Sequence, residues 1–341
     1  MKKRVFILLL MFILIGGVLW YFNQPKDIVT GDVKLTPDVL PKLEFKYLKI
    51  VNKSSNTRPI AVMINNHDQA RINHAGLQDA YIVYEMIAEG GLTRMMAIFK
   101  DQNTAKIGSV RSARHYFLDY ALENDAIYTH YGWSPQAESD IKKLSVDNIN
   151  GLYDEPFWRD TTLNVSYEHT AFTSMEKLTS FIKKKNYRMT SSQDLLLNYS
   201  VDSIALNEMD NAAVANKISI PYSIYVKTSY NYDSTNAVYN RSVNGVAHVD
   251  AITKKQYTAK NVIIAKIKNS SIDSYGRQTL DNIGSGDGYF ITNGYAVPIT
   301  WKKSSRTSQT VYSYLDGTEI TANDGNTFIQ NVPLTSIVGI E

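Results

Sequence analysis

Arg58-Pro59-Ile60-Ala61-Val62-Met63-Ile64-Asn65-Asn66-His67 is the stretch on which the reading of the fold turns. Its short apolar run fits a buried strand. The polar triplet Asn65-Asn66-His67 falls at the strand's end, where a scaffold places functional side chains. Outward from it, Ala80 to Ile87, Met95 to Phe99 and Ala126 to Tyr131 read as three more strands. Helices fall between and after them. Ser112 to Glu123 puts Ala113, Tyr116, Phe117, Tyr120 and Ala121 on one stripe, and Ser134-Pro135 supplies an N-cap and an N1 proline for a helix through Leu144. Thr173-Ser174-Met175-Glu176 opens a further helix as a capping box, with Met175, Leu178, Phe181 and Ile182 at helical spacing. Strands alternating with helices predict an α/β-type mixed domain over residues 58–205. From Ile218 the texture changes to short Tyr-, Val-, Ile- and Thr-rich runs. Asn244-Gly245, Asn293-Gly294 and Asp316-Gly317 break them as tight-turn signals. Residues 218–341 are therefore expected to form a smaller, mainly antiparallel β domain.

The amino terminus sets the expected location. Met1-Lys2-Lys3-Arg4 precedes an uncharged run from Val5 to Phe22, roughly 27 Å of helix and enough to cross the hydrocarbon of a bilayer. The basic flank places that end in the cytoplasm and the rest of the chain outside it. Trp20-Tyr21-Phe22 suits a membrane interface better than a small-residue cleavage site, so residues 1–22 are read as a retained single-pass anchor. Residues 23–57, with Pro25, Pro37 and Pro41, read as a linker. The whole is expected to be an α+β protein with an N-terminal transmembrane helix.

Composition removes several function classes. The chain has no cysteine, which excludes disulfides, thiol nucleophiles, thiolate metal sites and lipid attachment at a lipobox. A net charge of +3, spread without a dense Lys/Arg block, argues against a nucleic-acid partner. The six histidines form no compact ligand pattern, so neither metal nor cofactor is expected.

The densest polar constellation follows the first strand. Glu85 would share a strand face with Tyr81, Val83 and Ile87, a setting that raises a carboxyl pKa unless a cation pairs with it. Arg94, Arg111 and Arg114 are the nearby candidates, and a buried Glu–Arg pair is the alternative to a catalytic role. Glu89-Gly90-Gly91 gives either a turn or a backbone that a ligand approaches closely. On one extended strand Glu85 and Glu89 would lie about 13 Å apart, too far for a two-carboxylate glycosidase, which leaves a lone general acid. Arg111 and Arg114, in Gly108-Ser109-Val110-Arg111-Ser112-Ala113-Arg114-His115, suit a carboxylate or phosphate at a helix start. His130 follows a strand and can line the same cleft.

Several segments together resemble the YerB-like family of bacterial envelope proteins. The resemblance rests on Arg58 through Asn66, on Ala80 through Arg94, and above all on Gly108-Ser109-Val110-Arg111-Ser112-Ala113-Arg114 with Phe117-Leu118-Asp119. It continues in Phe157-Trp158-Arg159-Asp160, Tyr239-Asn240-Arg241, His248-Val249-Asp250 and Thr300-Trp301-Lys302-Lys303. It implies two tandem domains at the envelope, often on a lipoprotein anchor, and it supplies no reaction. The chain departs from the pattern in lacking the cysteine for that anchor and in reading Glu168-His169-Thr170 where the family looks more like Pro-His-Asn.

The function expected is an extracytoplasmic envelope protein that binds a cell-wall glycan or peptide. Its cleft would be lined by Glu85, Glu89, Arg94, Arg111, Arg114 and His130, with Asn65 and Asn66 beside it. The alternatives are a peptidoglycan-cleaving enzyme using Glu85 or Glu89 as a lone general acid, and a scaffold for wall-synthesis partners.

Overall fold

Burial on both faces explains the first strands. Every residue of Ile60–Asn65, Ile82–Ile87 and Thr93–Phe99 is buried, which is why each reads as a near-continuous apolar run rather than an alternating one. Ile60–Asn65 runs antiparallel to Thr93–Phe99, with Asn65 opposite Arg94, and parallel to Ile127–His130. The computed structural model describes residues 48–341. The expected membrane anchor and the linker up to residue 47 lie outside the described residues, among which no helix is long and apolar enough to cross a membrane.

The sheet that contains these strands corrects the expected fold class. An α/β-type domain followed by a separate β domain is not what forms. One eleven-stranded sheet draws on both halves of the chain. Its order is Ala213–Val214, Tyr295–Lys303, Gly284–Thr292, Asn261–Ile267, Thr327–Pro333, Ile82–Ile87, Thr93–Phe99, Ile60–Asn65, Ile127–His130 and Asn148–Asn150, with Val311–Tyr314 paired beside Tyr295–Lys303. The seam is Thr327–Pro333, which lies parallel to Ile82–Ile87 on one side and to Asn261–Ile267 on the other. Strands dominate, at 40% against 15% helix, and the described chain packs as one compact unit. The physical reason is that side-chain period reports which face of a strand is buried, not which strand covers its edge. A parallel neighbour reached by a long crossover leaves no local turn signal.

A second sheet has the order Val246–Ala247, Val238–Val243, Lys227–Asp233, Lys217–Pro221 and Gly339–Ile340, with Thr258–Ala259 also paired to Val238–Val243. It packs on the seam through Tyr230, whose ring lies 6.1 Å from that of Phe328. Asn244-Gly245 and Asn293-Gly294 make tight hairpins, each with both central residues at positive φ (52° and 79°, 51° and 82°). That is the requirement of a type I′ turn and the reason Asn-Gly occurs there.

Three longer helices, His115–Glu123, Pro135–Lys143 and Met175–Lys184, and the one-turn Asp68–Arg71 accompany the sheets. The Ser134 hydroxyl caps the second by accepting from the Ala137 amide. Ser174, rather than Thr173, caps the third, because the Thr173 hydroxyl donates instead to the Pro156 carbonyl.

The two halves are also joined by charge. Glu123 and Lys303, both without exposed side-chain surface, pair at 2.8 Å. The same carboxylate accepts from the Tyr84 and Thr310 hydroxyls, each at 2.6 Å. Removing one partner of such a pair strands the other's charge. Lys303→Met is therefore expected to lower the free energy of unfolding by about 3–5 kcal/mol. The double change Glu123→Gln with Lys303→Met should restore most of that loss in a urea titration, and equal losses in the two proteins would contradict a desolvated pair.

Candidate functional site

Glu85 lies fully buried in the strand next to the seam. Its carboxylate accepts from Arg241 Nη2 at 2.6 Å, Thr93 Oγ1 at 2.8 Å, Asn66 Nδ2 at 3.0 Å and Thr228 Oγ1 at 3.2 Å. The pairing cation is thus Arg241, from the strand Val238–Val243, and not Arg94, Arg111 or Arg114. A guanidinium only donates, so its second bond, from Nη1 to His248 Nδ1 at 2.6 Å, fixes the tautomer of that ring. His248 then carries its proton on Nε2 and donates it to His74 Nδ1 at 2.8 Å. His74 in turn donates from Nε2 to the Asn65 carbonyl at 2.5 Å. The Asn65 amide nitrogen donates to His169 Nδ1 at 2.8 Å, and the His169 ring stacks on His67 with centroids 4.7 Å apart. A single direction of donation runs from the buried pair to the surface. Burial pushes His74 down to about 3 and His248 well below the ordinary imidazole value, so both rings are neutral, as that chain requires.

Glu89 belongs to a different group. It opens the turn in which Gly90 and Gly91 both have positive φ, 67° and 70°, a conformation glycine adopts at low cost. Arg114 holds its carboxylate with two bonds, from Nε at 2.5 Å and Nη2 at 2.9 Å. Arg94 adds a third from Nη2 at 3.0 Å. Burial alone would raise the Glu89 pKa, but the Arg114 hydrogen bond and the charges of Arg94 and Arg114 outweigh it and hold the group below its ordinary value. Burial first, and then the charge of Arg114, bring Arg94 down to about 10.

The remaining expected residues separate further. Arg111 reaches the surface, where Nη2 meets Glu168 Oε2 at 2.5 Å; that glutamate side chain is 54% exposed. His130 is buried, with Nδ1 against the Gly132 carbonyl at 2.8 Å and Nε2 against Asn148 Oδ1 at 3.2 Å. Its burial lowers the pKa to about 4. Asn65 and Asn66 do flank one strand end, but they serve different partners, His169 and Glu85.

The sequence reading assigned no role to Arg241, His248, His74, His169 or Arg71. A signal for the first existed. The inward positions of Val238–Val243 read Tyr239, Arg241 and Val243, all buried, and an arginine on an apolar strand face demands a buried counter-charge. Two cavities among the described residues bear on the site. One of about 520 Å³ involves Trp158 and Phe181, and one of about 400 Å³ involves Arg71, Ile72 and His248. Neither is lined by Glu85, Glu89, Arg94, Arg111, Arg114 or His130. Among the described residues no group of three or more His, Asp or Glu converges as a metal site.

The neutral histidines give a pH dependence with a definite sign. An unfolded imidazole protonates near 6.5, whereas His74 and His130 hold out to about 3 and about 4. Their contribution is complete above pH 6.5 and is lost as pH falls below it, at about 1.4 kcal/mol per pH unit for each ring. The urea midpoint should drop between pH 6.5 and 4.5, and His130→Asn should flatten that slope by one ring's share. A slope unchanged by the substitution would contradict the assignment.

Comparison with known proteins matches two segments of the chain. Residues 48–188 match the N-terminal domain, and residues 218–329 the C-terminal domain, of a family described as a protein of unknown function, DUF3048. A putative lipoprotein of Bacillus subtilis (strain 168), YerB, is 32% identical over 314 residues, covering 91% of this chain and 90% of that protein. The crystal structure of YerB from Bacillus subtilis superposes with a TM-score of 0.72 at 31% identity, over 83% of this chain and 94% of that one. With both family segments matched in order and the relative aligned over nearly its whole length, this chain belongs to the DUF3048 family and is a homologue of YerB.

Proposed function

We propose that the chain is an extracytoplasmic, membrane-associated envelope protein that binds a cell-wall glycan or peptide without cleaving it. The name of its relative, a putative lipoprotein, supports the location. With no cysteine in this sequence, its attachment does not use a thioether lipid. The observation that carries binding over cleavage is the state of the two carboxylates. A lone general acid must keep its proton near the working pH. Glu89 is shifted the opposite way by Arg94 and Arg114, and Glu85 is sealed behind Arg241 with no exposed surface.

Arg111 is the residue suited to a ligand. Its side chain is 26% exposed and that of its partner, Glu168, is more than half exposed. An exposed pair of this kind is worth only about 0–1 kcal/mol, so a carboxylate on a wall peptide displaces Glu168 at little cost and accepts the same charge-assisted hydrogen bond. The His67 ring, 36% exposed and stacked on the buried His169 beside Glu168, gives a flat face for a sugar or peptide plane.

The protein should bind purified peptidoglycan saturably, with Arg111→Ala weakening binding by about tenfold, the worth of one charge-assisted hydrogen bond. Binding indifferent to that substitution would sink the reading. Mass spectrometry of the wall fragments should show no new anhydro or hydrolysed ends. Such ends, abolished by Glu89→Gln, would establish cleavage instead.

A further inference from the structure

The smaller cavity holds an arginine with incomplete hydrogen bonding, which the binding reading above does not use. Arg71 ends the one-turn helix Asp68–Arg71 that follows the Asn65–His67 strand end, and it lines the cavity of about 400 Å³ opposite residues of the Val243–Ala251 segment. Its Nη2 donates to the Asn66 carbonyl at 3.3 Å, beyond the usual distance for such a bond. Its Nε is buried without a partner. Among the described residues, no carboxylate forms an ion pair with it. Arg241 stands behind it, also with a buried, unpartnered Nε. Burial, and then the charge of Arg241, hold Arg71 below its ordinary pKa.

The ionisable groups around the cavity can be paired residue by residue. Arg71 and the exposed Lys254 line it, Arg241 behind them is paired with Glu85, and His74 and His248 are neutral. Asp250 and Asp68 also line the wall, but neither meets Arg71 directly. Asp250 accepts from the amides of Gly76, Ile252 and Thr253 and from the Tyr257 hydroxyl, each at 2.8 Å. Asp68 is 79% exposed and lies against the His67 ring. Arg71 is left without a direct carboxylate contact in a half-buried place, where such a cation is costly. The other side of the cavity is aliphatic, formed by Ile72, Val243, Val246 and Val249.

We propose that this cavity binds a carboxylate carried on a short aliphatic body, with Arg71 holding the carboxylate and the valine wall covering the body. One guanidinium without a direct carboxylate partner matches one carboxylate, and the volume lies within the range of small-ligand sites, near its lower end. The same chemistry is presented by the C-terminus of a small apolar peptide and by a short fatty acid.

Calorimetry on the full chain with N-acetyl-alanyl-alanine, hexanoate and the carboxamide of each tests the site and its source. At least one acid should bind saturably. Its carboxamide should bind about tenfold more weakly or worse, as should the acid to Arg71→Gln, as expected for a lost charge-assisted bond. Binding of the dipeptide alone assigns a peptide terminus, and binding of hexanoate alone or of both assigns an aliphatic acid. Val246→Glu guards against a folding defect, because Val246 is 70% exposed and the change puts a like charge at the cavity. It should weaken the acid by a similar factor while circular dichroism stays unchanged. Carboxamides that bind as well as acids, an unaffected Val246→Glu variant, or no saturable binding of either acid at millimolar concentration would each overturn the proposal.

Discussion

A carboxylate and a guanidinium with no exposed side-chain surface, Glu85 and Arg241, meet at 2.6 Å across 156 residues of sequence. The rest of the structure is arranged around that contact. Desolvating two charges costs several kcal/mol each, and the pair is tolerated only because further donors complete it. Asn66, Thr93 and Thr228 supply those donors. Asn66 and Thr93 belong to the first half and Thr228 to the second, so neither half satisfies the carboxylate alone. Parallel pairing of Thr327–Pro333 with Ile82–Ile87 imposes the same condition on the backbone. Two family segments therefore share one core.

The pair also orders what lies outside it. Because guanidinium nitrogens only donate, Arg241 dictates the tautomer of His248, His248 that of His74, and His74 the carbonyl of Asn65. Each ring has both nitrogens engaged and little freedom to rotate. The strand end at Asn65-Asn66-His67 is thereby held in one conformation, with His169 positioned by the Asn65 amide. The chain links the buried charge to the surface where Arg111 and Glu168 meet. Buried polar networks of this kind favour a single arrangement when every member is satisfied. Asn66 Oδ1 and Arg71 Nε are unsatisfied here, and Arg71 lines the smaller cavity.

The proposal of binding rather than cleavage rests on the surroundings of Glu85 and Glu89. Glu89 lies between Arg94 and Arg114, which hold it below the ordinary carboxylate range, the opposite of what a proton donor needs. On that proposal the acidic ligand would meet Arg111, whose carboxylate partner is exposed, or Arg71, which forms no ion pair among the described residues.

By itself the sequence determined the local pieces. The apolar runs at Ile60, Ile82 and Ile127, the Asn-Gly hairpins and the serine-capped helices depend on neighbours within a few residues, and local sterics and hydrogen bonding write them directly into the chain. It also showed that Glu85 lies on an apolar face and needs a cation. Only the tertiary structure decided which cation, because Arg94, Arg111, Arg114 and Arg241 carry the same charge and differ only in where the fold places them. It likewise decided that Glu89 joins Arg94 and Arg114 while His130 is enclosed elsewhere, and that strands from both halves form one sheet. Periodicity records that a face is buried, whereas the identity of its partner depends on contacts made across more than a hundred residues, which no local pattern encodes.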